Sequence, residues 1–107
     1  MGFFNIFNKP NINEGVKTFR KTPNAILLDV RTEEEYYEAH IDGSINLPLQ
    51  KIENALNLIS DKTKPLFVHC RSGARSAQAV AILKKMGYTN VKDIGGILDY
   101  KDKIIGG

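Results

Sequence analysis

The sequence predicts an α/β fold with a central, mostly parallel sheet and helices on both faces. Three observations predict it. Apolar stripes at helical spacing alternate with short apolar runs along the chain, the order that builds a parallel sheet covered by crossover helices. Two of the runs, residues 25–30 and 66–69, are continuous rather than alternating, as expected of strands buried on both faces. Capping and turn-forming residues punctuate the joints. A chain of 107 residues suffices for one hydrophobic core, so a single domain over residues 1–107 is expected.

Each element has its own signal. Ile12, Val16 and Phe19 fall at i, i+4 and i+7 and predict a short amphipathic helix over residues 11–21. Asn11, with Glu14 three residues on, caps it; Gly15 weakens it, and Thr22-Pro23-Asn24 stops it. Residues 25–30 are the first buried strand, ended by Arg31. Thr32-Glu33-Glu34-Glu35 reads as a capping box, and its three carboxylates suit the positive end of a helix that runs to about Ala39. His40-Ile41-Asp42-Gly43 is expected to turn the chain, and residues 44–47 to form a short strand stopped by Pro48. Ile52, Ala55, Leu56 and Ile59 form an i, i+3, i+4, i+7 stripe, which predicts a helix over 51–60. A surface turn over 61–65 leads to the second buried strand. Ala79, Ile82, Leu83 and Met86 mark a helix over about 74–86. Ala77, Val80 and Ala81 make most of its circumference apolar, so it is expected to be well buried. Lys84 and Lys85 sit at its negative end, and Gly87 caps it. Residues 91–94 are a last strand, Gly95-Gly96 opens a loop, and residues 97–103 form a short final helix.

Composition narrows the function. Hydrophobic residues make up 42% and charged residues 25%, the balance of a soluble globular protein. A net charge of +3 favours anionic small molecules or acidic partners and is too weak to argue for nucleic acid. The single cysteine excludes an internal disulfide and a multi-thiolate zinc site and suits a reducing compartment, so a cytoplasmic location is expected. No apolar run approaches the roughly 18 residues of a membrane span. The opening residues 1–7 are apolar but lack a basic leader and a small-residue cleavage site. Ile6 also breaks the myristoylation pattern. Residues 1–10 are expected to be an N-terminal segment, docked on the domain or flexible.

The chemistry concentrates at Cys70-Arg71-Ser72-Gly73-Ala74-Arg75-Ser76. A thiolate is the attacking species, and a helix N-terminus with neighbouring cations favours it. Cys70 stands between a buried strand and a helix that begins near Ala74, so the amides of residues 71–76 can curl around its sulfur. Gly73 permits the necessary backbone twist. Arg71 and Arg75 supply fixed positive charge for an anionic substrate, and Ser72 and Ser76 can donate hydroxyl hydrogen bonds to the sulfur or to substrate oxygens. An inert core cysteine would not need two arginines, two serines and a glycine within six residues.

This loop resembles the active-site loop of the rhodanese family. So do Asp29-Val30-Arg31-Thr32-Glu33-Glu34-Glu35-Tyr36, then His40-Ile41-Asp42-Gly43-Ser44-Ile45-Asn46-Leu47-Pro48, and the Gly95-Gly96-Ile97 turn. The three segments occur in the family's order from about residue 12 onward. Ala39, Ser44 and Tyr100 stand where the family usually has glycine, alanine and tryptophan, and these departures are expected to affect packing rather than chemistry. The resemblance implies a rhodanese-like fold and a sulfurtransferase. In it, Cys70 takes the outer sulfur of a small anionic donor such as thiosulfate, becomes a persulfide, and passes the sulfur to cyanide or a thiol, with no metal or organic cofactor. A protein donor or acceptor is the alternative, with the chain as a sulfur carrier. Related phosphatases carry a loop one residue longer, so phosphatase or arsenate reductase activity is disfavoured.

The remaining candidates have supporting roles. His69 neighbours Cys70 but points to the opposite face of its strand, and His40 resembles the family's structural histidine. Glu35 can pair with Arg31, four residues back, and brace the rim of the site. Asp29 stands at a strand end in the crevice, where it is expected either to make local turn hydrogen bonds or to support the Cys70 loop through an arginine.

Overall fold

A computed structural model describes residues 9–106. The expectation for the N-terminal segment therefore falls largely outside the described residues. Helix α1 (Ile12–Lys21) is followed by β1 (Ile26–Asp29), α2 (Glu33–Glu38), β2 (His40–Ile41) and β3 (Ser44–Asn46). A 3-10 turn (Leu49–Asn54) runs into the one-turn helix α3 (Ala55–Leu58). Then come β4 (Leu66–Cys70), α4 (Ala74–Lys85), β5 (Val91–Gly96), a second 3-10 turn (Ile97–Asp99) and β6 (Ile104–Ile105).

The main sheet has the order β3-β1-β4-β5, and all its pairs are parallel. Side chains alternate across it. Leu28, Val30, Leu66, Val68 and Cys70 pack on one face with Ile52, Ala55, Ile59, Ala79 and Leu83. Leu27 and Phe67 pack on the other with Ile12, Val16, Ile41 and Ile94. The two central strands are apolar on both sides because helices cover both sides. Gly15 is what brings α1 this close: a Cβ there would sit 2.5 Å from the side chain of Ile94.

Local signals set the helix starts as expected. Asn11 Oδ1 accepts from the amides of Asn13 and Glu14. Thr32 and Glu35 complete a reciprocal capping box. His40 Nδ1 lies 2.7 Å from Tyr36 O, and its ring stacks on Tyr36 at 3.9 Å between centroids, so this histidine is structural. Ser44 Oγ donates to Ile41 O, and Tyr100 packs against the α1-side core.

Five expectations are corrected. The helix over 51–60 is a 3-10 turn followed by one α-helical turn; the tighter winding keeps Ile52, Ala55 and Ile59 inward and leaves Leu56 in solvent. The helix α4 buries one stripe, Ser76, Ala79, Val80 and Leu83, and leaves Ala77 and Ala81 exposed, because small alanines fit either side of a surface helix. Gly95 and Gly96 continue β5 instead of opening a loop. Over 97–103 only the single 3-10 turn Ile97–Asp99 forms, and the chain then returns as β6, which pairs antiparallel with His40–Ile41 in a second, two-stranded sheet. His40 and Ile41, expected to turn, are thus a strand, stabilised by partners 65 and 63 positions later in the register His40↔Ile105 and Ile41↔Ile104, and the turn itself is confined to Asp42-Gly43. Among the described residues no helix is long and apolar enough to cross a membrane.

Candidate active site

Cys70 ends β4, a central strand of the sheet, and is fully buried. It is unpaired with any other cysteine. The chain then bends so that Gly73 N–H donates to Cys70 Sγ at 3.0 Å and α4 begins at Ala74. Gly73 makes the bend with φ +107°, a conformation open to glycine and strained for other residues. The loop rests on β5 at Gly96. A Cβ there would lie 2.3 Å from Arg71 O and 2.7 Å from Ser72 Cα, so only glycine allows this approach. Leu98 N–H donates to Arg71 O at 3.1 Å and ties the loop to the chain beyond β5.

The two arginines of the loop differ. Arg71 is exposed and has no ion pair among the described residues. Arg75 forks onto Glu35, with Nη1 donating to Oε1 at 2.7 Å and Nη2 to Oε2 at 3.1 Å. The Arg75 hydrogen bonds hold the Glu35 carboxyl down to about 2, and Glu35 in turn raises the Arg75 guanidinium. The expected Glu35–Arg31 pair is therefore corrected: Glu35 clamps the Cys70 loop to α2. Its backbone oxygen is all that Arg31 approaches, at 3.5 Å from Nη1.

Arg31 is buried and pairs with Asp29 instead. Nε lies 3.0 Å from both carboxylate oxygens, and Nη2 donates to Oδ2 at 2.7 Å and to Ala39 O at 2.7 Å. Burial pushes the Asp29 carboxyl up, but the polar contacts of His69 and Arg31 outweigh it and the net direction is down. Of the two roles expected of Asp29 the local turn is the one observed, with Arg31 N–H donating to Asp29 Oδ1 at 2.9 Å, and support of the loop through an arginine is corrected. Its arginine braces α2, and toward β4 Asp29 meets His69, whose Nε2 is 3.4 Å from Asp29 Oδ2. That contact is near enough for attraction but not aligned as a hydrogen bond, and both ring nitrogens of His69 lack hydrogen-bond partners among the described residues. As expected, His69 lies on the face away from the sulfur, beside its register partner Asp29. Asn46, unremarked in the sequence, donates to Asp29 O and Arg31 O at 3.0 Å each and fixes the end of β1.

Asp93 is the other residue that sequence reasoning missed. Val68 pairs with Asp93 but His69 pairs with Gly95, so Ile94 is an extra residue in β5, a bulge that re-aims its neighbours. Asp93 Oδ1 accepts from Gly95 N–H at 2.9 Å and from Ser76 Oγ at 2.8 Å. Ser76 Oγ in turn lies 3.6 Å from Cys70 Sγ. Seventeen residues separate Ser76 from Asp93, and no local pattern marks the pair. A cleft of about 340 Å³ flanks the loop, lined by Pro10, Ser72, Gly73, Asp93, Gly95 and Gly96. A roomier groove of about 480 Å³ lies along α1 and Tyr100. It touches none of the loop residues. Among the described residues no group of three or more metal-ligating side chains occurs.

Residues 13–103 match the family model of the rhodanese-like domain. The chain belongs to the rhodanese-like family. This rhodanese-like chain is 41% identical over 73 residues to the thiosulfate sulfurtransferase PspE of Escherichia coli (strain K12), covering 67% of this chain and 70% of that protein. It is 36% identical over 78 residues to YrkF of Bacillus subtilis (strain 168), whose name proposes a sulfur-carrier role, covering 72% of this chain but 42% of that protein. Among solved structures, a rhodanese with anions from Escherichia coli superposes with a TM-score of 0.72 at 37% identity, covering 78% of this chain and 99% of that one. The expected fold is thereby shown.

Proposed function

We propose that this chain is a sulfurtransferase whose Cys70 carries sulfane sulfur from a donor such as thiosulfate to cyanide or a thiol. The observation that carries the reading is the sulfur itself: Cys70 Sγ sits at the end of a central parallel strand, bonded by Gly73 N–H at 3.0 Å, at the start of a helix in a rhodanese-like chain. The Cys70 thiolate attacks the outer sulfur of thiosulfate. The S–S bond of the donor breaks, sulfite leaves with the electron pair, and a Cys70 persulfide anion remains. Cyanide or a thiolate then attacks the outer persulfide sulfur, and Cys70 leaves as thiolate. Charge balances in both steps, and neither needs a redox partner or metal.

The residues divide the work. Arg71 attracts the anionic donor, and a solved relative is described as a rhodanese with anions. Arg75, paired with Glu35, adds a fixed charge and holds the loop. Gly73 N–H bonds Sγ, and the remaining amides of residues 71–76 are available to the outer sulfur. Ser72 lines the adjacent cleft, and Ala74 starts the helix that points its positive end at the site. The six-residue loop fits a persulfide and is short for a phosphate ester. The lone thiol suits a reducing compartment, and we place the protein in the cytoplasm.

Intact-mass analysis after incubation with thiosulfate tests the reading. One added sulfur atom is expected, absent in Cys70→Ala and removed by cyanide; an unmodified Cys70 in folded protein would refute it. A second reading has YrkF in its favour: the chain is a carrier loaded by a partner protein. Turnover with thiosulfate that rises steeply only when a protein donor or acceptor is supplied distinguishes it.

A further inference from the structure

Ser76 has one hydroxyl proton and three polar neighbours. Its Oγ lies 2.8 Å from Asp93 Oδ1, 3.0 Å from Gly73 O and 3.6 Å from Cys70 Sγ, and the residue is fully buried. The shortest contact is to a carboxylate, and charge-assisted hydrogen bonds are the strong ones. The proton therefore goes to Asp93, and the oxygen lone pairs are left facing the sulfur. Ser76 was expected to donate to the sulfur or to substrate oxygens; here its oxygen accepts from Cys70 Sγ.

We propose that Asp93 is a positioning residue of the sulfur site: through the Ser76 hydroxyl it holds a hydrogen-bond acceptor against Cys70 Sγ. In the empty site the Cys70 thiol donates to the Ser76 oxygen. When the sulfur carries negative charge, the hydroxyl must turn its proton from Asp93 to Sγ, so the carboxylate governs how readily the thiolate forms. The bulge in β5 supports the arrangement, because Gly95 N–H pins the same Asp93 oxygen.

Other groups act on the sulfur from every side. The Gly73 amide and the start of α4 favour negative charge there. Arg75 of α4 interacts with both Cys70 and Asp29 but is paired with Glu35 of α2. Arg71 is exposed, and Asp29 of β1 and His69 lie across the sheet. Asp93 of β5 is the acid connected to the sulfur by a hydroxyl.

This inference rests on Cys70 being the sulfur carrier, but its test reads the thiol alone, and thiosulfate loading of the same preparation reports separately on the function. The rate of alkylation by iodoacetamide is followed from about pH 6 to about pH 9. In Asp93→Asn, which keeps an oxygen for Gly95 N–H, the rate on the acid side is expected to rise about threefold to tenfold with the alkaline plateau unchanged. In a Ser76→Ala background the same substitution is expected to change the rate less than about twofold, since the link runs through Ser76. Ser76→Ala alone reads the link from its other end and is expected to raise the acid side as well. An unchanged acid side in either single variant overturns the proposal. So does an equal effect of Asp93→Asn with and without Ser76, which would make it a direct charge effect, or a plateau that climbs to the rate of the denatured chain.

Discussion

Replacing Glu35 with Gln removes one charge from the clamp between α2 and the Cys70 loop and leaves its shape. The wild-type carboxylate accepts two Arg75 hydrogen bonds, at 2.7 and 3.1 Å, and those of the capping box. These hold its pKa at about 2 instead of the ordinary 4.5. At roughly 1.4 kcal/mol per pH unit the upper bound is about 3 kcal/mol. Arg75 and Glu35 are 32% and 27% exposed, and screening reduces the expected loss to about 1 to 2 kcal/mol. For a chain of this size that lowers Tm by roughly 4 to 15 °C. The pH dependence has a definite sign. A carboxylate depressed in the folded state contributes fully above its unfolded pKa, and the contribution is lost as pH falls through the folded value. The stability gap between wild type and Glu35→Gln should therefore be complete at neutral pH and shrink between pH 4.5 and about 2. Denaturant unfolding of both proteins at neutral and acid pH measures it. A gap below about 0.3 kcal/mol at neutral pH, or one that does not narrow in acid, would refute the clamp.

Asp29→Asn strands the buried Arg31 guanidinium without a counter-charge, and removing one partner of such a pair costs about 3 to 5 kcal/mol; a denaturant midpoint within error of wild type contradicts the assignment. Gly96→Ala tests close approach in isolation, because Gly96 has an ordinary φ of −119° and only its contact with Arg71 O and Ser72 Cα is tight. It should cost about 1 to 3 kcal/mol and reduce sulfur loading from thiosulfate as the loop is displaced, whereas unaltered loading in a protein of wild-type stability would show that the loop does not depend on this seat.

Much of the architecture was legible before the tertiary structure. Apolar period and capping chemistry are local, so α1, the Thr32–Glu35 box and the two central strands fell where expected. The Cys70 loop was legible for the same reason: its glycine, arginines and serines lie within seven consecutive residues. The pairing of β2 with β6 was not, since two residues at each end of a long separation carry no periodicity. The 3-10 turn at Leu49–Asn54 mimicked a helical stripe, because spacings of three occur in both windings.

The sequence by itself determined the strand-to-helix turn that holds Cys70 and the residue types gathered in it, because backbone preference and side-chain type act over a few positions. Only the tertiary structure decided who partners whom. Glu35 and Arg31 are correctly spaced to meet on a helix, yet Arg31 folds back into the buried carboxylate of Asp29, where desolvation makes an unpaired charge most costly. That leaves Glu35 to Arg75, forty residues away. The bulge at Ile94 likewise delivers Asp93 to Ser76, and through it to Cys70. Such choices depend on burial and on distance through space, quantities that exist only once the chain has folded.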